Sequence, residues 1–399
     1  MKSWRERLTL PAVVATGTAA SPTSAAWTFP IMIFAAFVVS WGAEAAEFLI
    51  SQGLALAILA LIQTLPEFAV EAVIAWKAGK DPEMVHLAIA NFTGSLRLLT
   101  GLGWPMIYAV AAFYSRKRRG KPLGKIQLHD DHAVEVLGLL PPLLWFVVVW
   151  AKKSLSLVDA FVLTSTYVVY LTVLLKLPPR EESVEEAEEI PRVSRWALEQ
   201  KGWKKWGAVL GLLGAGGAMI FLVAEPFLAS MMALAATLGI SQFVFIQWVA
   251  PFLSEFPEKT SAFAWARRVT RAPVALMNMV SSNINQWGVL SAMLAVIYCI
   301  SKGEVTALPF DEFQRLEILL TILQAFLGWL FLASMSLRAY EAVGLFGLWV
   351  VQFVRPSLRH EMLLVYGAWI AFELVRVALG QQKIRAFEAM ARVWKARKR

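Results

Sequence analysis

Cysteine and histidine are scarce in this sequence. Its 399 residues include one cysteine, Cys299, and four histidines. A single cysteine excludes an internal disulfide and a metal site built from cysteines. The sequence also lacks the phosphate-binding signature G-x-x-x-x-G-K-[ST] and any constellation of a nucleophile with paired histidines. We therefore predict that the protein is not an enzyme and has no cofactor and no nucleotide partner.

Charged residues are also few, at 17%, whereas 58% of the residues are hydrophobic and the mean hydropathy is +0.58. The apolar residues occur in long runs such as WTFPIMIFAAFVVSWGAEAAEFLI and LEILLTILQAFLGWLFLASMSL. A helix of about 20 residues spans the hydrocarbon core of a bilayer. The sequence therefore predicts an all-α, polytopic integral membrane protein in contact with membrane lipid.

The hydropathy pattern predicts eleven helices. Residues 1–27 are predicted to be an N-terminal tail, because a basic start is followed by no sustained apolar segment of the kind found in signal peptides. The predicted helices span residues 28–50, 54–77, 85–113, 133–151, 155–176, 207–236, 240–264, 272–300, 314–336, 339–354 and 360–379.

Lysine and arginine give the chain a net charge of +9 and lie mainly between the predicted helices. Basic loops mark the cytoplasmic side of a membrane protein, which explains this distribution better than nucleic-acid binding does. Segments 115–125, 192–205 and 266–271 and the basic C-terminus share one side if the N-terminus is outside and the C-terminus cytoplasmic, although Lys152 and Lys153 fall on the other side. We expect the plasma (inner) membrane. The sequence carries no signal for the oligomeric state.

A linker divides the chain into two similar halves. Residues 178–206 are rich in glutamate and then in basic residues, which predicts a solvated cytoplasmic linker. The first half contains LPEFAVEAVIAW and then AIANFTGSLRLLTGLG, and the second contains FPEKTSAFAWA and then ALMNMVSSNINQWGVL. SLVDAFVL and SLRAYEAVGL are a further matching pair. These matches indicate an internal repeat.

Each half is predicted to contain five helices, with apolar-Pro-Glu on the second and Asn-x-x-[Gly/Ser]-Ser on the third. Because five is odd, the second copy enters the membrane from the opposite side, as the inverted repeats of secondary transporters do. The first repeat is placed at 28–177, with its motif helices at 54–113, and the second at 207–354, with its motif helices at 240–300. Residues 355–399 add one helix and a basic tail.

Two prolines interrupt the motif helices. Pro66 and Pro257 each lie directly before a glutamate, inside segments predicted to be helical. A proline within a helix offers no N–H to the carbonyl four residues earlier, so the oxygens of Ile62 and Leu253 are predicted to be free. Free carbonyls and carboxylates in a membrane indicate an ion site, because they are unfavourable there without a partner.

Neutral oxygens accompany the two glutamates of this predicted ion site. Hard cations such as Ca²⁺ bind about six to eight oxygen ligands, which mix carboxylates, carbonyls and hydroxyls or amides. The predicted metal ligands are Glu67, Glu258, Asn91, Ser95, Asn278, Ser282, Thr64 and Ser254. A kinked helix with a capped glutamate explains one such motif equally well, but two copies at matching positions favour the ion site.

These motifs resemble the α-repeats of the sodium/calcium exchanger family in the cation/calcium antiporter superfamily, which read approximately G-[TS]-S-L-P-E and G-N-x-x-G-S-N. The resemblance implies ten helices in two inverted halves, with Glu67 and Glu258 as central cation ligands. The matching positions are Thr64, Leu65, Pro66, Glu67, Asn91, Gly94 and Ser95 in the first repeat and Ser254, Pro257, Glu258, Asn278, Ser282 and Asn283 in the second.

Four charged residues depart from the family pattern. Glu71 lies four residues after Glu67, and two close carboxylates in a membrane are expected to share a proton unless a cation is bound. Lys259 lies four residues after Glu255 and is expected either to neutralise it or to occupy an ion subsite. Arg97 is expected to pair with a neighbouring acid such as Glu44 or Glu47 on the first helix, or to fill a subsite. The predicted coupling or outer residues are Glu71, Glu255, Lys259, Arg97 and Asn283.

Two functions remain open from the sequence. The first is an antiporter that exchanges Ca²⁺ or a related divalent cation for Na⁺ or H⁺ by alternating access, driven by gradients. The second is a transport-inactive sensor or scaffold that binds an ion, with sites locked by Lys259 and Arg97. The basic, amphipathic segment 384–399 offers such a scaffold a surface for a partner or anionic lipid, or serves as a cytoplasmic anchor.

Overall fold

The computed structural model describes residues 21–47, 49, 61–62, 64–176 and 191–396. This part of the chain is helical apart from turns and four short strands. Seven of its helical stretches are long and apolar enough to cross a membrane, and Gln242–Ser254 and Ala339–Val354 are shorter apolar helices. The all-α prediction of a polytopic membrane protein is therefore confirmed at this level.

The helices of the first half follow the predicted order. The predicted positions 48 and 50, the segment 54–60 and residue 63 lie outside the described residues. The described helices are α1 (Ala25–Glu47), α2 (Leu65–Lys80), α3 (Val85–Leu98), α4 (Trp104–Arg119), α5 (Ala133–Gly138), α6 (Leu140–Ala151) and α7 (Leu157–Leu175).

The second half begins after the linker, of which residues 178–190 lie outside the described residues. Its described helices are α8 (Arg192–Glu199), α9 (Trp203–Thr237), α10 (Gln242–Ser254), α11 (Phe256–Ala266), α12 (Ala272–Asn285), α13 (Ser291–Lys302), α14 (Glu312–Leu332), α15 (Ala339–Val354), α16 (Arg359–Ala378) and α17 (Ala386–Ala396). Helices α8 and α17 lie in segments predicted as linker and tail, so these segments are more ordered than expected.

Two antiparallel strand pairs connect the halves. Strand β1 (Lys125–Gln127) pairs with β4 (Ser336–Arg338), and β2 (Ser154–Leu155) pairs with β3 (Leu308–Pro309). Because helices α5 and α6 together form one candidate membrane span, Asp130–Ala151, between β1 and β2, the two pairs lie at opposite ends of the bundle. Each strand pair thus shows that the two connections it joins lie on the same side of the membrane.

The segments SLVDAFVL and SLRAYEAVGL begin equivalent helices. Both α7 and α15 start directly after a short strand, with an acidic side chain in the first turn that bonds back to the N-cap backbone. Asp159 accepts from the Ser156 N–H at 2.6 Å, and Glu341 accepts from the Arg338 N–H at 2.6 Å. The similarity of these two segments in sequence therefore reflects the same local structure.

The two Pro-Glu segments break their helices, which corrects the prediction of prolines inside continuous helices. Helix α2 starts at Leu65 after a turn at Thr64, and α10 ends at Ser254 before α11 starts at Phe256. Pro66 and Pro257 therefore occupy the first turn of a new helix, where a backbone N–H has no partner within the helix. At the end of α10 the Glu255 N–H donates to the Pro251 oxygen at 3.0 Å, as in a regular helical turn.

The Asn/Ser helices of both halves contain a π-helical segment at matching positions. Helix α3 continues through Leu99–Gly103 into α4, and α12 continues through Gln286–Leu290 into α13. When Asn91 is aligned with Asn278, the two π segments align as well. Such a π segment changes the direction of the side chains around it and is frequent at functional sites.

Glycines allow close packing between the halves. A Cβ on Gly94 of α3 would lie 1.8 Å from the Gln247 carbonyl oxygen of α10, so these helices touch through their backbones. A Cβ on Gly216 of α9 would lie 2.6 Å from a methyl group of Val39 on α1. Close contacts between α3 and α10 place the Asn/Ser motif of one half beside the broken helix of the other half.

Helices α8 and α17 pack against the bundle through small side chains. Ser194 and Ala197 of α8 are buried, as are Ala386 and Ala389 of α17. Arg392 of α17 also binds the two carboxylate oxygens of Asp130 at 2.6 and 2.8 Å. The tail is therefore docked on the protein at this helix, with one of its faces turned inward.

Candidate cation-binding site

The two helix breaks place their glutamates in the protein interior. Glu67 lies in the first turn of α2 and is 1% exposed, and Glu258 lies in the first turn of α11 and is 2% exposed. The N-terminus of a helix carries a partial positive charge, which stabilises a carboxylate there. The same arrangement thus occurs in both halves of the chain.

Each Asn/Ser helix donates hydrogen bonds to carboxylates. Ser282 Oγ donates to Glu258 Oε1 at 2.6 Å, and Asn91 Nδ2 donates to Glu71 Oε2 at 2.6 Å. Ser95 Oγ, the counterpart of Ser282, donates to Glu255 Oε1 in the other half, also at 2.6 Å. The structure therefore brings Glu67, Glu71, Glu255 and Glu258 into one buried polar region with their Asn and Ser partners.

Gln286 connects the carboxylates of the two halves. Its Nε2 donates to Glu67 Oε2 and, at 3.0 Å, to Glu255 Oε1. The neighbouring Asn285 Nδ2 donates to Thr64 Oγ1 at 2.6 Å. The bonds to Glu67 and to Thr64 cross from the second half to the first, while the bond to Glu255 stays within the second half. Gln286 thereby joins the two helix breaks at the site.

The sequence interpretation did not single out Asn285 and Gln286. A usable signal was present, because the aligned positions in the first repeat are Leu98 and Leu99. Two polar residues that replace leucines within an apolar helix require partners in the interior. A position-by-position comparison of the repeats would have identified them.

Lys259 and Glu255 form a buried ion pair, as expected from their spacing. Lys259 Nζ binds Glu255 Oε2, and both side chains are at least nine-tenths buried. Glu255 thus receives donors on both oxygens: Lys259 on Oε2, and Ser95 and Gln286 on Oε1. Its charge is neutralised within the protein.

Several oxygens of the region have no hydrogen-bond partner among the described residues. Among the carboxylates these are Glu67 Oε1, Glu71 Oε1 and Glu258 Oε2, and among the amides they are Asn283 Oδ1, Asn285 Oδ1 and Gln286 Oε1. A buried acceptor without a partner is destabilising, so such a set fits groups that bind a cation. Within the described chain, no three acidic, histidine or cysteine side chains are spaced to hold a metal ion alone. A bound ion would therefore need carboxylates and neutral oxygens together.

Three of the predicted residues take other roles or make other contacts. Ser254 Oγ donates to the Pro251 carbonyl of its own helix at 3.4 Å. Asn283 Nδ2 reaches Thr100 Oγ1 at 3.4 Å and no carboxylate. Thr64 Oγ1 donates to the Leu61 carbonyl at 2.9 Å while it accepts from Asn285. Asn278 is buried on α12.

Arg97 pairs with an acid, as one of the expectations had it, but that acid is Glu317 of α14 and not Glu44. Glu44 instead accepts from Ser194 at 3.2 Å and from Ser261 at 3.4 Å, while the Glu47 side chain lies outside the described residues. The physical reason is the position of Arg97 on the face of α3 that packs against α14, where a buried carboxylate lies.

Arg97 belongs to a second buried network, whose members are distant in sequence. Its Nη2 binds Glu317 of α14, its Nη1 donates to Gln352 of α15 at 2.8 Å, and its guanidinium lies 5.1 Å from the centre of the Trp248 ring. Glu317 also binds Arg359 of α16. This network attaches α3 to the last three bundle helices but does not contact the site carboxylates.

Comparisons with known proteins identify the family. A family model described as sodium/calcium exchanger protein matches residues 23–176 and 208–356. The chain belongs to this family. The family resemblance deduced from the motifs is thereby confirmed. The match also confirms the prediction that the protein is a membrane transporter and not an enzyme.

Solved structures with the exchanger fold also match. A crystal structure of the H⁺/Ca²⁺ exchanger CAX is 31% identical, with a TM-score of 0.82, and the match covers 94% of this chain and 91% of that one. A structure of the sodium-calcium exchanger NCX_Mj soaked with Na⁺ and Sr²⁺ is 18% identical, with a TM-score of 0.56, and the match covers 84% and 99%. The comparison with curated proteins found no match.

Proposed function

We propose that this member of the sodium/calcium exchanger family is a secondary active antiporter that exchanges Ca²⁺ or a related divalent cation for H⁺. One observation carries the proposal: each half presents a buried glutamate at a helix break, and each of these glutamates has one oxygen without a hydrogen-bond partner among the described residues. Similarity to a structure described as an H⁺/Ca²⁺ exchanger favours H⁺ over Na⁺ as the counter-ion.

The charge of the region fits a divalent cargo. Lys259 neutralises Glu255, whereas Glu67, Glu71 and Glu258 each keep one oxygen without a partner among the described residues. Because Glu67 and Glu71 lie one helical turn apart, a proton on Glu71 leaves Glu67 and Glu258 as the two charged carboxylates. Two carboxylates balance one divalent cation. The amide oxygens of Asn285 and Gln286 supply neutral ligands, and Asn278 and Ser282 line the same place. When the cation leaves, protons on the glutamates keep this buried region close to neutral.

The proposed architecture for this exchange is two inverted five-helix repeats, 28–177 and 207–354, with one additional helix at the C-terminal end. The matched helix breaks, π segments and capped helices support equivalent halves. Rocking of one set of helices against the other would open the region to alternate sides. We place the end with β1 and β4 on the cytoplasmic side of the plasma (inner) membrane, because the basic segments 115–125 and 266–271 adjoin it.

A transport-inactive sensor or scaffold is the second candidate. The closed Glu255–Lys259 pair favours it, because this carboxylate is not available to an ion. The carboxylate oxygens of Glu67 and Glu258 that have no partner among the described residues favour transport instead. In a locked site we would expect protein donors to bond to these oxygens. We therefore place the antiporter first.

Flux measurements in sealed liposomes test the proposal. Purified protein is reconstituted with a Ca²⁺-sensitive dye inside, and a pH gradient or a Na⁺ gradient is imposed in separate trials. We expect Ca²⁺ flux with the pH gradient. Glu67→Gln and Glu258→Gln should each abolish it, because each removes one of the two ligand charges while preserving shape.

The matched control is Glu304→Gln, at an exposed glutamate paired with Lys302 3.2 Å away, which should leave flux unchanged. Flux that survives both site changes would refute the assignment of the site. Ca²⁺ binding without flux under either gradient would favour the sensor.

A further inference from the structure

The Glu255–Lys259 pair exists in one half only. Aligning Glu67 with Glu258 places Thr64 opposite Glu255 and Phe68 opposite Lys259. The second half thus carries one extra carboxylate and one extra ammonium, four residues apart on the chain. Because the charges cancel, the pair leaves the net charge of the region unchanged.

Every oxygen of Glu255 is occupied by a protein donor. Lys259 binds Oε2, and Ser95 and Gln286 donate to Oε1 at 2.6 and 3.0 Å. Glu67, Glu71 and Glu258 differ, because each has one oxygen without a partner in the described part of the chain. The structure therefore separates one internally neutralised carboxylate from three that keep an oxygen for a ligand.

A buried carboxylate that stays ionised requires a compensating positive charge. At Glu255 that charge is tethered to the same helix, so it cannot be transported. We propose that Lys259 is the resident cation of the Glu255 position and excludes Na⁺ or K⁺ from it, so that exchange requires no monovalent metal ion. This inference rests on the proposed exchange at Glu67 and Glu258, and it makes Lys259 a specificity-determining residue.

Removal of the ammonium tests the proposal. In Lys259→Met the side chain keeps its length but loses its charge, so Glu255 needs a small cation from solution. We expect Ca²⁺ flux in choline medium to fall on the order of tenfold or more relative to the unchanged protein. Na⁺ should restore it, because Na⁺ can enter beside Glu255, whereas choline is too large.

The double variant Glu255→Gln/Lys259→Met is the matched control. It removes both charges and keeps the shape, so the flux that it retains in choline should not be stimulated by Na⁺. A second readout, binding of radioactive Na⁺ to purified protein, does not depend on transport. Lys259→Met should bind Na⁺ that unlabelled Na⁺ displaces, whereas the unchanged protein and the double variant should not.

The outcomes separate this inference from the proposed function. Absence of Ca²⁺ flux in the unchanged protein contradicts the exchange, while the Na⁺-binding assay still decides the role of Lys259. Flux of the unchanged protein only in Na⁺ medium overturns the inference and leaves an exchanger. Full flux of Lys259→Met in choline, or loss of flux in both variants without rescue by Na⁺, also overturns the inference.

Discussion

The Arg97 network allows a prediction about the stability of the bundle. Glu317 is fully buried and binds two arginines, Arg97 on Oε2 and Arg359 on Oε1. Arg97 is 1% exposed, whereas the Arg359 side chain is 14% exposed. Replacement of Glu317 and replacement of Arg97 should therefore lower the stability of the folded protein by unequal amounts.

The magnitudes follow from what each change leaves behind. Arg97→Met leaves Glu317 paired with Arg359 and with Gln247, which donates at 2.8 Å. The loss is then that of hydrogen bonds to charged groups, about 1.5–3 kcal/mol each before relaxation. Glu317→Gln instead leaves the buried guanidinium of Arg97 without a counter-charge, which costs about 3–5 kcal/mol, and it also deprives Arg359 and Gln247 of their charged acceptor, about 1.5–3 kcal/mol each. Glu317→Gln should be the more destabilising change.

The double variant Arg97→Met/Glu317→Gln provides the sharpest comparison. It removes the uncompensated buried charge and leaves only Arg359, which can reach water. We therefore expect it to be more stable than Glu317→Gln alone, although it carries one more substitution. Such non-additivity is expected for residues in one charged network.

Heat unfolding of the purified proteins in detergent, followed by tryptophan fluorescence, measures this order. The expected ranking of midpoints is unchanged protein, then Arg97→Met, with Glu317→Gln lowest and the double variant above it. Glu304→Gln, at an exposed pair, should leave the midpoint unchanged. A double variant that unfolds at or below the midpoint of Glu317→Gln would refute the reasoning.

Two further predictions concern packing and the tail. Gly94→Ala places a Cβ 1.8 Å from the Gln247 carbonyl oxygen. We therefore expect reduced flux and a lower unfolding midpoint, equivalent to a destabilisation of about 1–3 kcal/mol. Gly211→Ala, which has open space around the added Cβ, is the control in both assays. Arg392→Ala removes an ion pair whose side chains are 56% and 48% exposed, so we expect an unchanged unfolding midpoint and unchanged flux. A large drop in either assay would show that this ion pair holds α17 on the bundle.

Much of the candidate site was accessible from the sequence because its residues recur. Glu67 and Glu258 follow a proline in both halves, and Asn91 and Asn278 begin matching segments. Their burial follows from apolar surroundings, and the Glu255–Lys259 pair from a spacing of four residues within one helix. Each of these inferences uses neighbours along the chain or a second copy of the same pattern.

Other features could not be predicted in this way. The prolines start new helices instead of interrupting old ones, because the chain turns at Thr64 and at Glu255, and the local sequence allows either arrangement. Helix α17 packs on the bundle through Ala386 and Ala389, although its composition also fits a membrane-surface helix. In both cases the packing of distant helices decided between alternatives that were similar locally.

The sequence by itself determined that the chain spans a membrane, that it contains two copies of a Pro-Glu and Asn/Ser motif, and which family it resembles, since run lengths and repeated patterns are properties of the linear chain. Only the tertiary structure decided that Arg97 binds Glu317 and that Gln286 joins Glu67 to Glu255. The physical reason is that a buried polar group takes the partner that packing brings within hydrogen-bond distance, and here that partner lies on another helix, far away along the chain.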